Sequence, residues 1–92
     1  MNSVIVCCSC SGIKERSISA FSILYPDDEV PDMHVSSNAI KKLAASFPQD
    51  SNMAKHLDAI SKKSGQYSYY IEYNEDMDIT KMVNLLNGKD VY

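Results

Sequence analysis

From Gln66 to Asn74 the chain alternates, with Tyr67, Tyr69, Ile71 and Tyr73 on one parity and Ser68, Tyr70, Glu72 and Asn74 on the other. A period of two in aromatic and β-branched residues predicts a pleated strand whose odd face lies on a core. Tyr70 and Glu72 then point the other way, into solvent. Gly65 opens the stretch, and the acidic run Glu75, Asp76 and Asp78 closes it. Residues 3–9 are apolar on both parities, with Val4, Val6 and Cys8 set against Ile5 and Cys7. This predicts a strand covered on both sides, or one whose second face meets a partner.

Residues 16–25 carry two patterns at once. Ile18, Phe21, Leu24 and Tyr25 make a helical stripe, while Phe21, Ile23 and Tyr25 alternate as a strand would. Serines at 17, 19 and 22 compete for backbone groups and weaken a helix, so the expectation is a strand in a hairpin with the first, ended by Pro26. Residues 26–37, with two prolines and four acids, read as an exposed crossing loop.

Two helices follow. Ile40, Leu43, Ala44 and Phe47 fall at i, i+3, i+4 and i+7, with Pro48 as a stop. Met53, Leu57 and Ile60 stripe a second helix, which starts after Asp50 or Ser51 and ends with Lys62, Lys63 and Gly65. After the tyrosine strand, Ile79, Met82, Val83 and Leu86 predict a third helix, capped by Asp76 or Asp78 and ended by Asn87 and Gly88. The expected order is β-β-α-α-β-α. That order predicts an α+β fold, a small two-layer sandwich of two or three strands with about three helices on one face.

Composition narrows this picture. A chain of 92 residues, 45% hydrophobic and 23% charged, suits a single domain spanning 1–92. Its net charge of -3 argues against binding nucleic acid by neutralising phosphates. No run is long and apolar enough for a membrane span, and the opening MNSVIVCCSC lacks the basic region of a secretory leader. Cys7, Cys8 and Cys10, three thiols within four positions, do not form a disulfide framework and fit a reducing compartment, so a cytoplasmic location is expected.

The sharpest chemical spacing is Cys10-Ser-Gly-Ile-Lys-Glu-Arg16, a C-x5-R pattern that uses the chain's single arginine and is followed by Ser17. It resembles the loop of low-molecular-weight protein tyrosine phosphatases, which follows a first strand and opens a helix. The resemblance implies Cys10 as a thiolate nucleophile, Arg16 as a phosphate clamp and Ser17 as a support for the thiolate. Amides and a guanidinium that hold phosphate also lower a thiol pKa. The aspartate general acid of such enzymes has no counterpart, because Asp27 and Asp28 follow Pro26 instead of preceding a proline. Cys7 and Cys10 also form C-x-x-C, but with Cys7 in a strand and not at a thiolate-stabilising helix start. His34 and His56 are isolated, so neither a metal nor a cofactor is expected.

The preferred reading is a small non-enzymatic regulator or inhibitor that binds a protein partner with a basic surface, as a phage or mobile-element inhibitor or a toxin-neutralising protein would. The acidic groups Asp27, Asp28, Glu29, Glu72, Glu75 and Asp76 would form its surface, with Tyr70 as an exposed anchor and Tyr25 and Tyr92 in support. The doubly apolar first strand adds a possible homodimer through a sheet edge. The alternative is a phosphate-binding cysteine enzyme built on Cys10, Arg16 and Ser17.

Overall fold

The computed structural model describes residues 2–8 and 11–91, and Met1, Ser9, Cys10 and Tyr92 lie outside the described residues. The elements run β1 (Asn2–Cys7), α1 (Ser11–Leu24), β2 (His34–Ser36), α2 (Ile40–Ala45), α3 (Asn52–Ser61), β3 (Ser68–Tyr73), β4 (Ile79–Asn84) and β5 (Lys89–Asp90). The fold is α+β, with a five-stranded mixed sheet in the order β2-β1-β3-β4-β5. β1 lies parallel to β2 and antiparallel to β3, with Ile5 opposite both His34 and Tyr70.

The doubly apolar reading of the first strand holds. Val4, Ile5 and Val6 are each 0% exposed. Val4 and Val6 meet Ile40, Met53, Leu57 and Ile60 of α2 and α3, together with Tyr69, Ile71 and Tyr73 of β3. Ile5 meets Phe21 of α1, with Tyr70 and Val83. Helices therefore cover both faces of the sheet, where the sequence suggested one. Burial of three such side chains stabilises by roughly 1.5–3 kcal/mol each, and β1 is an inner strand, paired with β3 from Asn2 to Cys7 and with β2 from Ile5 to Cys7.

Residues 11–24 form a helix, not the second arm of a hairpin. Ile13, Ser17 and Phe21, four residues apart, make its buried stripe. Ser17 is compatible with that stripe because its hydroxyl donates to the Ile13 carbonyl at 2.7 Å and shares a hydrogen bond with the Ser68 hydroxyl of β3. A serine counted as a helix breaker is thus a buried polar pin between α1 and the sheet. α1 crosses the sheet from β2, where Lys14 acts on His34, to the β4–β5 turn, where Leu24 lies over Gly88. The chain then returns beneath it and ends with the Met33 carbonyl accepting the Ile5 amide at 3.0 Å.

α2 and α3 stand close to where periodicity placed them. Ser51 caps α3 by accepting the Ala54 amide at 3.2 Å, and Met53, Ala54, Leu57 and Ile60 are buried. The expected third helix is instead the strand β4. Met82 faces the α2–α3 side and Val83 the α1 side, so apolar residues three and four apart reflect two covered faces and not a helical stripe. Its acids do not cap a helix. The Asn74 side chain accepts the amides of Asp76 and Asp78, both at 3.0 Å, and Met77 sits at φ 63 to complete the turn into β4. Met77 packs under the helices, and its carbonyl accepts the Met53 amide at 3.1 Å.

Replacing Ser17 by Ala strands the buried Ser68 hydroxyl and is expected to cost about 1–2 kcal/mol. Ser68→Ala should cost less, since Ser17 keeps its Ile13 acceptor. In urea unfolding the double variant should lose less than the sum of the two, and strict additivity would show that the hydroxyls act independently.

Candidate functional site

Tyr25 follows the last turn of α1, and its ring lies 5.1 Å from that of Phe21 and 5.7 Å from that of Tyr70. The Lys81 ammonium stands 4.3 Å above the Tyr25 ring. Such a placement over an aromatic face is attractive. The Tyr70 hydroxyl donates to the Glu72 carboxylate at 2.8 Å, and Glu72 lies directly opposite Lys81 across β3 and β4. Tyr70 is therefore not the exposed anchor expected from its parity. It is 7% exposed, because α1 covers the face that alternation alone left to solvent. Burial raises its pKa above that of an ordinary tyrosine, with the Glu72 hydrogen bond and charge adding to the effect. Contact with Tyr25 raises that of Lys81, against a smaller opposing effect of burial.

The acidic residues gather toward one end of the sheet. Asp27, Asp28 and Glu29 are exposed in the segment after Tyr25, and Asp28 acts with Glu72 on the same Tyr70 hydroxyl. Glu75 and Asp76 occupy the β3–β4 turn, which lies where β1 begins because β3 runs antiparallel to it. Beside that turn an open cleft of about 320 Å³ is lined by Pro48, Asp50, Ser51, Asn52, Asp76 and Asp78. The Asn52 amide donates to Asp78 at 2.7 Å. The sequence reading missed Asp50 and Lys81 as parts of this end. Lys81 was legible only once residues 79–84 became a strand opposite Glu72.

The C-x5-R residues are placed as follows. Cys10 lies outside the described residues. The stretch from Ser11 through Arg16 is wound into α1, so the amides of Glu15 and Arg16 face along the helix. Arg16 turns its Nε back to the Gly12 carbonyl at 3.4 Å, on the exposed side. Ser17 is 0% exposed and faces Ser68. Cys7 is buried, and the Cys8 thiol donates to the Gly65 carbonyl at 3.0 Å. Among the described residues, no group of three potential metal ligands converges.

Two further polar groups lie buried, one beside the carboxyl end of β1 and the other at the first residue of β2. The Tyr67 hydroxyl and the His34 Nδ1 have no hydrogen-bond partner among the described residues. Burial raises the Tyr67 pKa, the neighbouring thiols of Cys8 and Cys7 add to this, and the Ser37 side chain opposes it. Burial, with the charge of Lys14, lowers that of His34.

Compared with protein families, curated proteins and solved structures, the chain matches none. No helix among the described residues is long and apolar enough to cross a membrane.

These shifts set the pH dependence. Folded Tyr70 keeps its proton above 10.0, where an unfolded tyrosine releases it, so its contribution is intact below that value and is lost as pH rises beyond it. Tyr70→Phe should flatten the alkaline limb of stability and remove a late-ionising phenol from an ultraviolet titration. His34 has the opposite sign. Its folded form resists protonation below 6.5, so stability declines as pH falls from there, and His34→Gln should flatten that limb in thermal melts.

Proposed function

We propose that this chain is a small non-catalytic regulator or inhibitor that docks a basic surface of a protein partner through its acidic end. The observation that carries the reading is the meeting of Asp28 and Glu72, from separate segments, about the Tyr70 hydroxyl beside Tyr25 and Lys81, with further exposed acids on the segments that bear or adjoin them. Asp27, Asp28 and Glu29 come from the crossing segment, Glu72 from β3, and Glu75 and Asp76 from the turn. Like charges so disposed repel one another and cost the fold some stability, and a cationic partner relieves that repulsion. They also steer a basic partner into encounter. Tyr25 and the stem of Lys81 supply apolar surface beside them, while Tyr70 supports the cluster from beneath. An inhibitor carried by a mobile element, or a toxin-neutralising protein, would work in this way. The thiols of Cys7 and Cys8 suit a reducing, cytoplasmic setting.

A second reading is supported by the succession of β1 (Asn2–Cys7) and α1 (Ser11–Leu24), a first strand followed by a helix as the C-x5-R resemblance implies, with residues 11–16 lying in the helix itself. There Cys10 would be the nucleophile and Arg16 the clamp, with Ser17 held in the α1–β3 contact. Iodoacetamide labelling of Cys10 across pH, with and without inorganic phosphate, separates the two. Ordinary thiol reactivity without phosphate protection is expected.

For the binding reading, a partner captured by the wild-type chain should be lost in an Asp27→Lys/Asp28→Lys variant. Its affinity should fall by about tenfold or more, roughly 1.4 kcal/mol, and weaken further with salt. Tyr70→Phe should retain the partner, since that hydroxyl is buried. An unchanged affinity in the double reversal would remove this surface from the interface.

A further inference from the structure

A groove of about 400 Å³ runs between α2 and α3, lined by Lys41, Ala44, Ala45, Gln49, Ala54, Lys55 and Asp58. Its one carboxylate is already engaged, because Asp58 pairs with Lys62 at 3.1 Å. Lys41 and Lys55 therefore give the groove a positive character in a chain that is acidic as a whole. The groove adjoins the acidic cleft. Gln49 lines the first, while Pro48, Asp50, Ser51 and Asn52 line the second, so the connection from α2 to α3 separates two neighbouring hollows of opposite sign.

From this juxtaposition we infer that the α2–α3 face is the contact surface of a homodimer, in which the basic groove of each copy receives the acidic cleft wall of the other. A two-fold axis makes every contact reciprocal, so adjacent patches of opposite sign become mutually complementary when a surface meets itself. Lys41 and Lys55 of one copy then face Asp50, Asp76 and Asp78 of the other, twice over. Ala44, Ala45 and Ala54 line the groove with short side chains and leave room for the approach. The sheet edge at β5 offers a poorer route to the same assembly. Antiparallel pairing of β5 with its own copy sets Lys89 against Lys89 or Asp90 against Asp90, and like charges directly opposite are destabilising. The inference draws Asp76 from the proposed docking surface but none of Asp27, Asp28, Glu29 or Glu72, so either idea can fail without the other.

The test is sedimentation equilibrium of the whole chain. At low ionic strength the wild type should move with concentration from 10.3 kDa toward twice that mass. In molar salt, where screening acts within about 3 Å, it should return to monomer. Lys55→Glu and Asp50→Lys should each be monomeric, with Lys41→Glu as a second groove variant in case Lys55→Glu disturbs the helix, and circular dichroism confirming the fold of each. An equimolar mixture of Lys55→Glu and Asp50→Lys should regain the dimer, because each altered patch then meets its new complement. A wild type that stays monomeric to millimolar concentration at low salt overturns the inference. A dimer indifferent to both reversals, or a mixture that stays monomeric, does the same.

Discussion

The structure depends on burying one strand from both sides. Val4, Ile5 and Val6 lose all contact with solvent, and consecutive residues of a strand point to opposite faces, so two separate layers must be supplied. α1 supplies one and the α2–α3 pair supplies the other. Once β1 is central, the remaining strands are ordered by what can reach it. β2 arrives parallel through the α1 crossover, and β3 comes back antiparallel after the helical pair. β4 and β5 then extend the sheet by hairpins on the far side of β3.

Local periodicity located β1, α3 and β3, and it misled at β4. α3 could be read from Met53, Leu57 and Ile60, and β3 from its odd-numbered tyrosines and isoleucine. β4 could not, since Met82 and Val83 serve opposite cores and together imitate a helical stripe. α1 failed for another reason. Its serines were weighed as competitors for the backbone, whereas Ser17 satisfies Ile13 and Ser68 simultaneously inside the protein. Nothing in the chain before residue 66 announces that partner. Tyr70 follows from the same error, because its exposure was deduced from a sheet with only one covered side.

Of the candidate surface, the acids were visible in the sequence, and their arrangement was not. Asp27, Asp28 and Glu29 lie more than forty residues from Glu72 in sequence, and the return of the chain beneath α1 places Asp28 and Glu72 about one phenol. Lys81 enters the same cluster only because β4 pairs with β3 in a register that sets it opposite Glu72. A cation among carboxylates limits their mutual repulsion.

The turn between β3 and β4 carries a consequence for recognition. Asn74 holds the amides of Asp76 and Asp78 on one side-chain oxygen, and Met77, in a left-handed conformation, is anchored below by its own side chain and by Met53. The carboxylates borne on this turn are thereby mounted on an ordered frame. Whatever meets them does not have to freeze a floppy loop, so less of the attraction is spent on restraining motion at the moment of encounter.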